Sequence, residues 1–556
     1  MINGFLLYII NFGSQFCERN EKMKKNNFLK GAVILGAAGI IVKIMGAFFR
    51  IPLGRIIGSE GMGYYQAGYT VFNLILAFTA SGFPTAISKL VSEKRARKDY
   101  MGAHKVFKTS FYLLFILGTL GSVTLALMTS YLANDVFKSP NSYYAVLALA
   151  PAVFFVAVLA SYRGYFQGMN DMTPTAISQL VEQAARVVMG LSLAILLLRK
   201  FDISYGAAGA SFGAAVGAGF ALLAMIFIYY RRKDDILLQN GESQDSVKEG
   251  SLEISKNLLR ISIPIAIGAA VMPLINMVDT VVVMGRLQEI GFTVQESTSL
   301  YGQLQGMAAT LVNLPQVLTV ALATSIVPVI SESIAVNDWE SVEVDIKSVL
   351  KVALLIGLPA SIGLAVLSNP IMLMLFPKEP ASAGRVLLFL ALSVTFLAPL
   401  QTLTGVLQGL GKPDLPVKNL IIGGVFKFIA TYILTGIPGL NIAGAAIGTV
   451  IAYFIALLLN FLAVKKETKF VFPAQQFLIK PLLSVGIMGL IVYITYGQAA
   501  SLLSNTKATV VSIGVGGLVY ALMLLKTQTI VKEDFDLLPG ANKIVNILYK
   551  LRLMKD

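Results

Sequence analysis

Tyr205 to Tyr230, YGAAGASFGAAVGAGFALLAMIFIYY, runs 26 residues without a charged side chain and ends directly on Arg231-Arg232-Lys233. About 20 apolar residues in a helix cross the hydrocarbon of a bilayer, and a basic cluster at one end is the mark of the cytoplasmic side. The same pattern recurs along the chain. It predicts fourteen spans, at 28–50, 63–90, 108–133, 143–167, 174–198, 205–230, 257–285, 300–330, 348–376, 384–408, 415–437, 442–464, 477–497 and 508–526. Composition agrees: 56% of residues are hydrophobic and 13% charged, with a mean hydropathy of +0.73. Lipid is therefore the main solvent of this chain.

Sorting the 45 Lys and Arg by loop gives the orientation. With residues flanking the helix ends counted with the adjoining loop, thirty-three fall on alternate segments beginning with the N-terminus, eight fall on the other side, and four (Lys43, Arg50, Arg186 and Lys427) remain within spans. The positive-inside rule places both termini in the cytoplasm. The net charge of +15 is mostly this bias, and it favours anionic membrane lipids as partners. Basic residues dispersed over short loops without interleaved aromatics argue against nucleic acid.

The expected fold is an all-α integral membrane protein of about fourteen helices, in two pseudo-symmetric six-helix lobes plus two C-terminal helices. Its divisions are an N-terminal cytoplasmic extension (1–27), an N-lobe (28–232), a cytoplasmic linker (233–256), a C-lobe (257–466), and two further helices with a cytoplasmic tail (467–556). Residues 1–22 have no basic start and no small-residue cleavage site, so they do not read as a signal peptide. Duplication is suggested by two echoes. Gln167-Gly168 before Pro174 is matched by Gln408-Gly409 before Pro416, and Pro84 to Ser88 by Pro328 to Ser331. Six helices per half make the repeat parallel, the plan of a two-lobed transporter with a central cavity.

Nothing reads as an enzyme. One Cys (Cys17) and one His (His104) exclude a disulfide framework and a Cys/His metal site. Gly411-Lys412 lacks the remainder of a phosphate loop. No cofactor is expected, and energy for uphill movement must come from Na+ or H+ coupling, the membrane potential, or consumption of product outside.

The remaining chemistry is charge inside the bilayer, where an ionised side chain costs about 2.5–3.5 kcal/mol on insertion scales and needs a partner or a purpose. Lys43 and Arg50 are seven apart, hence on one helix face. Glu182 and Arg186 have the spacing of an intrahelical pair. Lys427 occupies nearly the repeat position of Arg186, so the two cations are expected to face the lobe interface together. Asp279, with Asn276 one turn before it, is a candidate for ion coupling or charge balance. The expected cavity, Lys43, Arg50, Arg186 and Lys427 against Glu182 and Asp279, is net positive and suits a phosphate or diphosphate headgroup.

Phe28 to Ala32, Lys43 to Arg50, Arg55 to Tyr65, Gly82 to Lys89, and Leu314-Pro315 with Ala321 to Pro328 resemble the stage V sporulation protein B and polysaccharide-biosynthesis branch of the multidrug/oligosaccharidyl-lipid/polysaccharide exporter superfamily. The resemblance covers nearly all of 28–526. It implies alternating access and a cationic cavity for a lipid-linked oligosaccharide, lipid II first among them, with Lys43 at the family's basic position on the first helix and Arg50 approximately at its second. A monomer is expected. A capsule or teichoic-type oligosaccharide flippase is the alternative, followed by a multidrug or cation antiporter.

Overall fold

The computed structural model describes residues 26–232, 249–468 and 470–530. The extension 1–22 with Cys17, residues 233–248 of the linker and the tail beyond 530 lie outside them. All regular structure among the described residues is helical.

The N-lobe comprises α1 (Asn26–Leu76), continued through a π-helical turn into α2 (Gly82–Ala96), then α3 (Tyr100–Tyr131), α4 (Tyr143–Gly168), α5 (Thr173–Lys200) and α6 (Ile203–Arg231). At 51 residues α1 is too long for one crossing. It breaks at Gly58, with φ 66° and ψ −176°, a backbone conformation that only glycine adopts freely. Phe49 and Tyr65 would be about 24 Å apart along a continuous helix. Their ring centroids are 6.1 Å apart, so the chain folds back at Gly58 and α1 holds two antiparallel arms. Among the described residues thirteen helical segments are long and apolar enough to span, and the first of them makes two passes, which gives fourteen.

The C-lobe opens with α7 (Ser251–Val278), a π-helical turn (Asp279–Val283) and α8 (Met284–Glu289). It continues with α9 (Val294–Tyr301), a second π-helical turn (Gly302–Ala308) and α10 (Ala309–Ala335). Then come α11 (Trp339–Val366), α12 (Ser368–Leu375), α13 (Ser382–Ala391), α14 (Ser393–Gly409), α15 (Asp414–Thr435) and α16 (Ile442–Thr468). The last pair, α17 (Lys480–Leu502) and α18 (Asn505–Lys526), packs on α11 and α12.

The duplication is visible in packing. Ser92 donates to the Gly168 carbonyl at 3.0 Å, and Ser331 donates to the Gly409 carbonyl at 3.0 Å. Gly164 and Gly168 let α4 approach Ile87 and Val91, as Gly405 and Gly409 let α14 approach Ile326 and Ile330. The repeat therefore matches Ser331 with Ser92, one turn beyond the Ser88 pairing that the proline spacing implies. In each half a glycine-bearing helix presses on its predecessor: Gly213 on Gly190, and Gly448 on Thr431. Close backbone approach is how helices gain packing energy where lipid supplies no hydrophobic drive.

The lobes meet tightly at the end opposite the basic loops. Ser59 N–H donates to Glu379 at 2.8 Å, the Ser59 and Ser299 hydroxyls are 2.6 Å apart, and Arg55 donates to the Met374 carbonyl at 2.9 Å. Gly302 and Gly306 sit against Ser59 and Met62 with no room for a side chain. A Cβ at Gly302 would overlap the Ser59 carbonyl oxygen. Gly302→Ala is expected to hold this seal apart, read as increased modification of a Ser299→Cys thiol by a membrane-impermeant reagent.

Candidate functional site

Beneath the seal, α1, α5 and α10 enclose a cavity of about 250 Å³ at the lobe interface. Its N-lobe wall holds Lys43 and Arg50 from the first arm of α1, Tyr65 and Tyr69 from the second, and Gln183 and Arg186 from α5. The seven-residue spacing of Lys43 and Arg50 does bring both to this space. The opposite wall, from α10, is uncharged: Thr310, Asn313 and Gln316 among apolar neighbours.

Arg186 is the most constrained of the three cations. Glu182, one turn earlier, accepts from its Nη2 at 2.9 Å, and the guanidinium carbon lies 5.8 Å from the Tyr69 ring centroid. Glu182 is simultaneously held by Arg163 of α4, whose Nη2 donates at 2.9 Å and whose Nε donates to Ser178. The carboxylate is thus shared by two arginines, and charge within this cluster stays positive. Arg186 Nε and the Tyr69 hydroxyl are buried without a hydrogen-bond partner, two donors left over for an oxyanion. Arg163, which charge counting assigns to the basic-side flank, turns inward instead, because Glu182 lies within reach of the last turns of α4. Its position inside span 143–167 was the available signal.

Lys427 is not a cavity residue, contrary to expectation. It does hold the repeat position of Arg186, but its side chain is 4% exposed and its ammonium sits 2.8 Å from Asp279 inside the C-lobe. Asp279 is fully buried and also accepts from Gln305 of the second π turn. The pair forms within one lobe and not across the cavity, because α15 packs directly on α7 and its π turn. Asn276 is exposed and is not among the groups bonded to Asp279. No cluster of three or more His, Cys, Asp or Glu able to hold a metal occurs among the described residues.

A family model described as polysaccharide biosynthesis protein matches residues 28–334, more than half of the chain. The chain belongs to the polysaccharide biosynthesis protein family. A second model, MatE, matches residues 305–433. The stage V sporulation protein B of Bacillus subtilis (strain 168) is 28% identical over 94% of this chain and 100% of its own length. The lipid II flippase MurJ of the same organism is 26% identical over 89% of this chain and 94% of its own. Among solved structures, a lipid II flippase MurJ in an inward closed conformation superposes with a TM-score of 0.64 at 18% identity, covering 88% of this chain and 98% of that one. This member of the polysaccharide biosynthesis protein family is a multi-pass membrane protein with a transporter fold.

Proposed function

We propose that the protein is a flippase that carries a polyprenyl-diphosphate-linked cell-wall precursor, lipid II, across the cytoplasmic membrane by alternating access, for peptidoglycan synthesis in growth or sporulation. The observation that carries this reading is a one-sided cationic wall, Lys43, Arg50 and Arg186, facing a neutral polar wall across the lobe interface. A diphosphate engages the arginines through paired hydrogen bonds, and Lys43 adds a point charge. Thr310, Asn313 and Gln316 offer hydroxyl and amide partners to the adjoining sugar. The polyprenyl chain stays in lipid, so the wall need bind only the head. With both termini cytoplasmic, the Ser59–Ser299 seal closes the outer face and the cavity serves the inner leaflet.

A cation antiporter needs an available carboxylate in the cavity, and Glu182 is committed to Arg163 and Arg186. A flippase for another lipid-linked oligosaccharide shares the same diphosphate chemistry and is separated only by the sugar. Purified protein in proteoliposomes is expected to move fluorescent lipid II faster than a capsule-type or teichoic-type precursor on the same polyprenyl diphosphate. Equal rates would reassign the cargo, and no movement of any of them would remove the flippase reading.

A further inference from the structure

We propose that the protein binds a phospholipid with a primary-amine headgroup in a second cavity, between α12, the start of α13 and α17, and that the amine pairs there with Glu379, a residue of the seal. The bound lipid holds the seal shut. The proposal does not depend on the transport activity or on the identity of the cargo.

The cavity measures about 410 Å³, within the roughly 300–1,000 Å³ of small-molecule sites, and shares no lining residue with the cationic one. Its lining is amphipathic. Glu379, Ser368 and Asn369 are polar, while Met372 and Leu373 of α12 and Tyr493 of α17 offer apolar surface. Leu373 and Tyr493 are 50% and 70% exposed, on helices whose surroundings are lipid, so the apolar end opens to the membrane. The width is fixed by a bridge: Tyr496 of α17 donates to Asn505 at 2.8 Å, and Asn505 donates to the Pro370 carbonyl at 3.1 Å. Among the described residues no Lys or Arg lines this space, and its formal charge is the Glu379 carboxylate. That carboxylate is short of donors. Oε1 accepts from the Ser59 N–H at 2.8 Å, but Oε2 is buried with no partner, a cost that an added donor removes. A phosphatidylglycerol head or the diphosphate of the cargo brings only negative charge and is disfavoured. A primary ammonium brings a positive charge and three N–H donors, whereas a choline head has the charge and no donor.

The loop between α12 and α13 serves the cavity and the seal at once. Glu379, Pro380 and Ala381 form one wall of the cavity. From the same stretch, Glu379 accepts from Ser59, Phe376 packs on Gly54, and the Met374 carbonyl accepts from Arg55. The glutamate carboxylate turns on its terminal torsion, which is broad and soft, to take the ammonium on Oε2 while Oε1 keeps Ser59. The acyl chains then lie along Leu373 and Tyr493. Once the lobes part, Ser59 leaves Glu379, the loop loses its support from α1, and the charged wall of the cavity is released. The lipid therefore binds the sealed state more tightly than the parted one, and that difference in affinity is what shifts the equilibrium.

The test uses the full chain with Cys17→Ser and Ser299→Cys, which leaves one thiol, at the seal. It is held in lipid nanodiscs, both faces of which are open to a membrane-impermeant maleimide. No cargo is present. Replacing part of a phosphatidylcholine bilayer with phosphatidylethanolamine is expected to slow modification of the thiol about fivefold or more, a typical coupling. Phosphatidylglycerol at the same fraction is expected to give no such protection, nor is free phosphoethanolamine added to phosphatidylcholine discs. Glu379→Gln keeps an oxygen for the Ser59 N–H but loses the charge, and is expected to abolish the response to phosphatidylethanolamine. Leu373→Trp fills the cavity without touching Glu379 and is expected to abolish it as well, whereas Val425→Ala, on the exposed face of α15, is expected to leave it unaltered. An unresponsive parent protein, equal protection by phosphatidylglycerol or by free phosphoethanolamine, or a Glu379→Gln or Leu373→Trp protein that still responds, overturns the proposal.

Discussion

Alanine in place of Arg186 is expected to lower the initial rate of lipid II movement in proteoliposomes by about thirtyfold or more, since losing one partner of a desolvated, hydrogen-bonded charge contact costs about 2–5 kcal/mol. The fold is expected to survive, because Arg163 still pairs with Glu182 at 2.9 Å when Arg186 is gone. Arg186→Lys keeps the charge but gives up the planar fork that matches phosphate and stacks near Tyr69, so only partial activity is expected from it. A rate within twofold of wild type for Arg186→Ala would show that this guanidinium does not hold the headgroup.

Methionine in place of Lys427 is expected to act on stability. Removing one member of a buried pair strands the other, at a cost of about 3–5 kcal/mol. With Asp279 fully buried and its Oδ1 already without a partner, Lys427→Met strands a carboxylate in the interior of the C-lobe. The melting temperature of the purified protein is expected to fall markedly. The double variant Asp279→Asn/Lys427→Met is expected to recover much of the loss, because neither charge is then unpaired. A Lys427→Met protein of undiminished stability but impaired headgroup binding would return this residue to the cavity.

These two cations show how far the sequence can be read. Arg186 and Lys427 are repeat equivalents, and the spacing of apolar spans with the Gln-Gly turns was enough to find the equivalence. Symmetry fixes a position on a helix and says nothing of the partner. Arg186 has its carboxylate four residues away on the same helix, so its state is written locally, whereas Lys427 takes Asp279 from a helix nearly 150 residues earlier. Arg163 was hidden for a related reason. A cation near a span end is read as reaching for headgroups, and only the neighbouring helix reveals that Glu182 is closer. The fourteen passes, in contrast, follow from length and hydropathy, terms that tertiary contacts do not change. The chain reversal between the first two passes was expected as a loop of a dozen residues, 51–62, and is a single glycine.

That reversal bears on how the cationic wall would move. With Gly58 alone between the two arms of α1, and Phe49 packed against Tyr65, the outer tips of the first two crossings have no slack by which to part. Under the proposed alternating access, Lys43, Arg50, Tyr65 and Tyr69 are therefore expected to travel together and keep their mutual spacing. The cargo's acidic group would ride on this panel from one leaflet to the other without being handed between carriers, and a peptide tag spliced in at Gly58 would uncouple the two rails on which it rides.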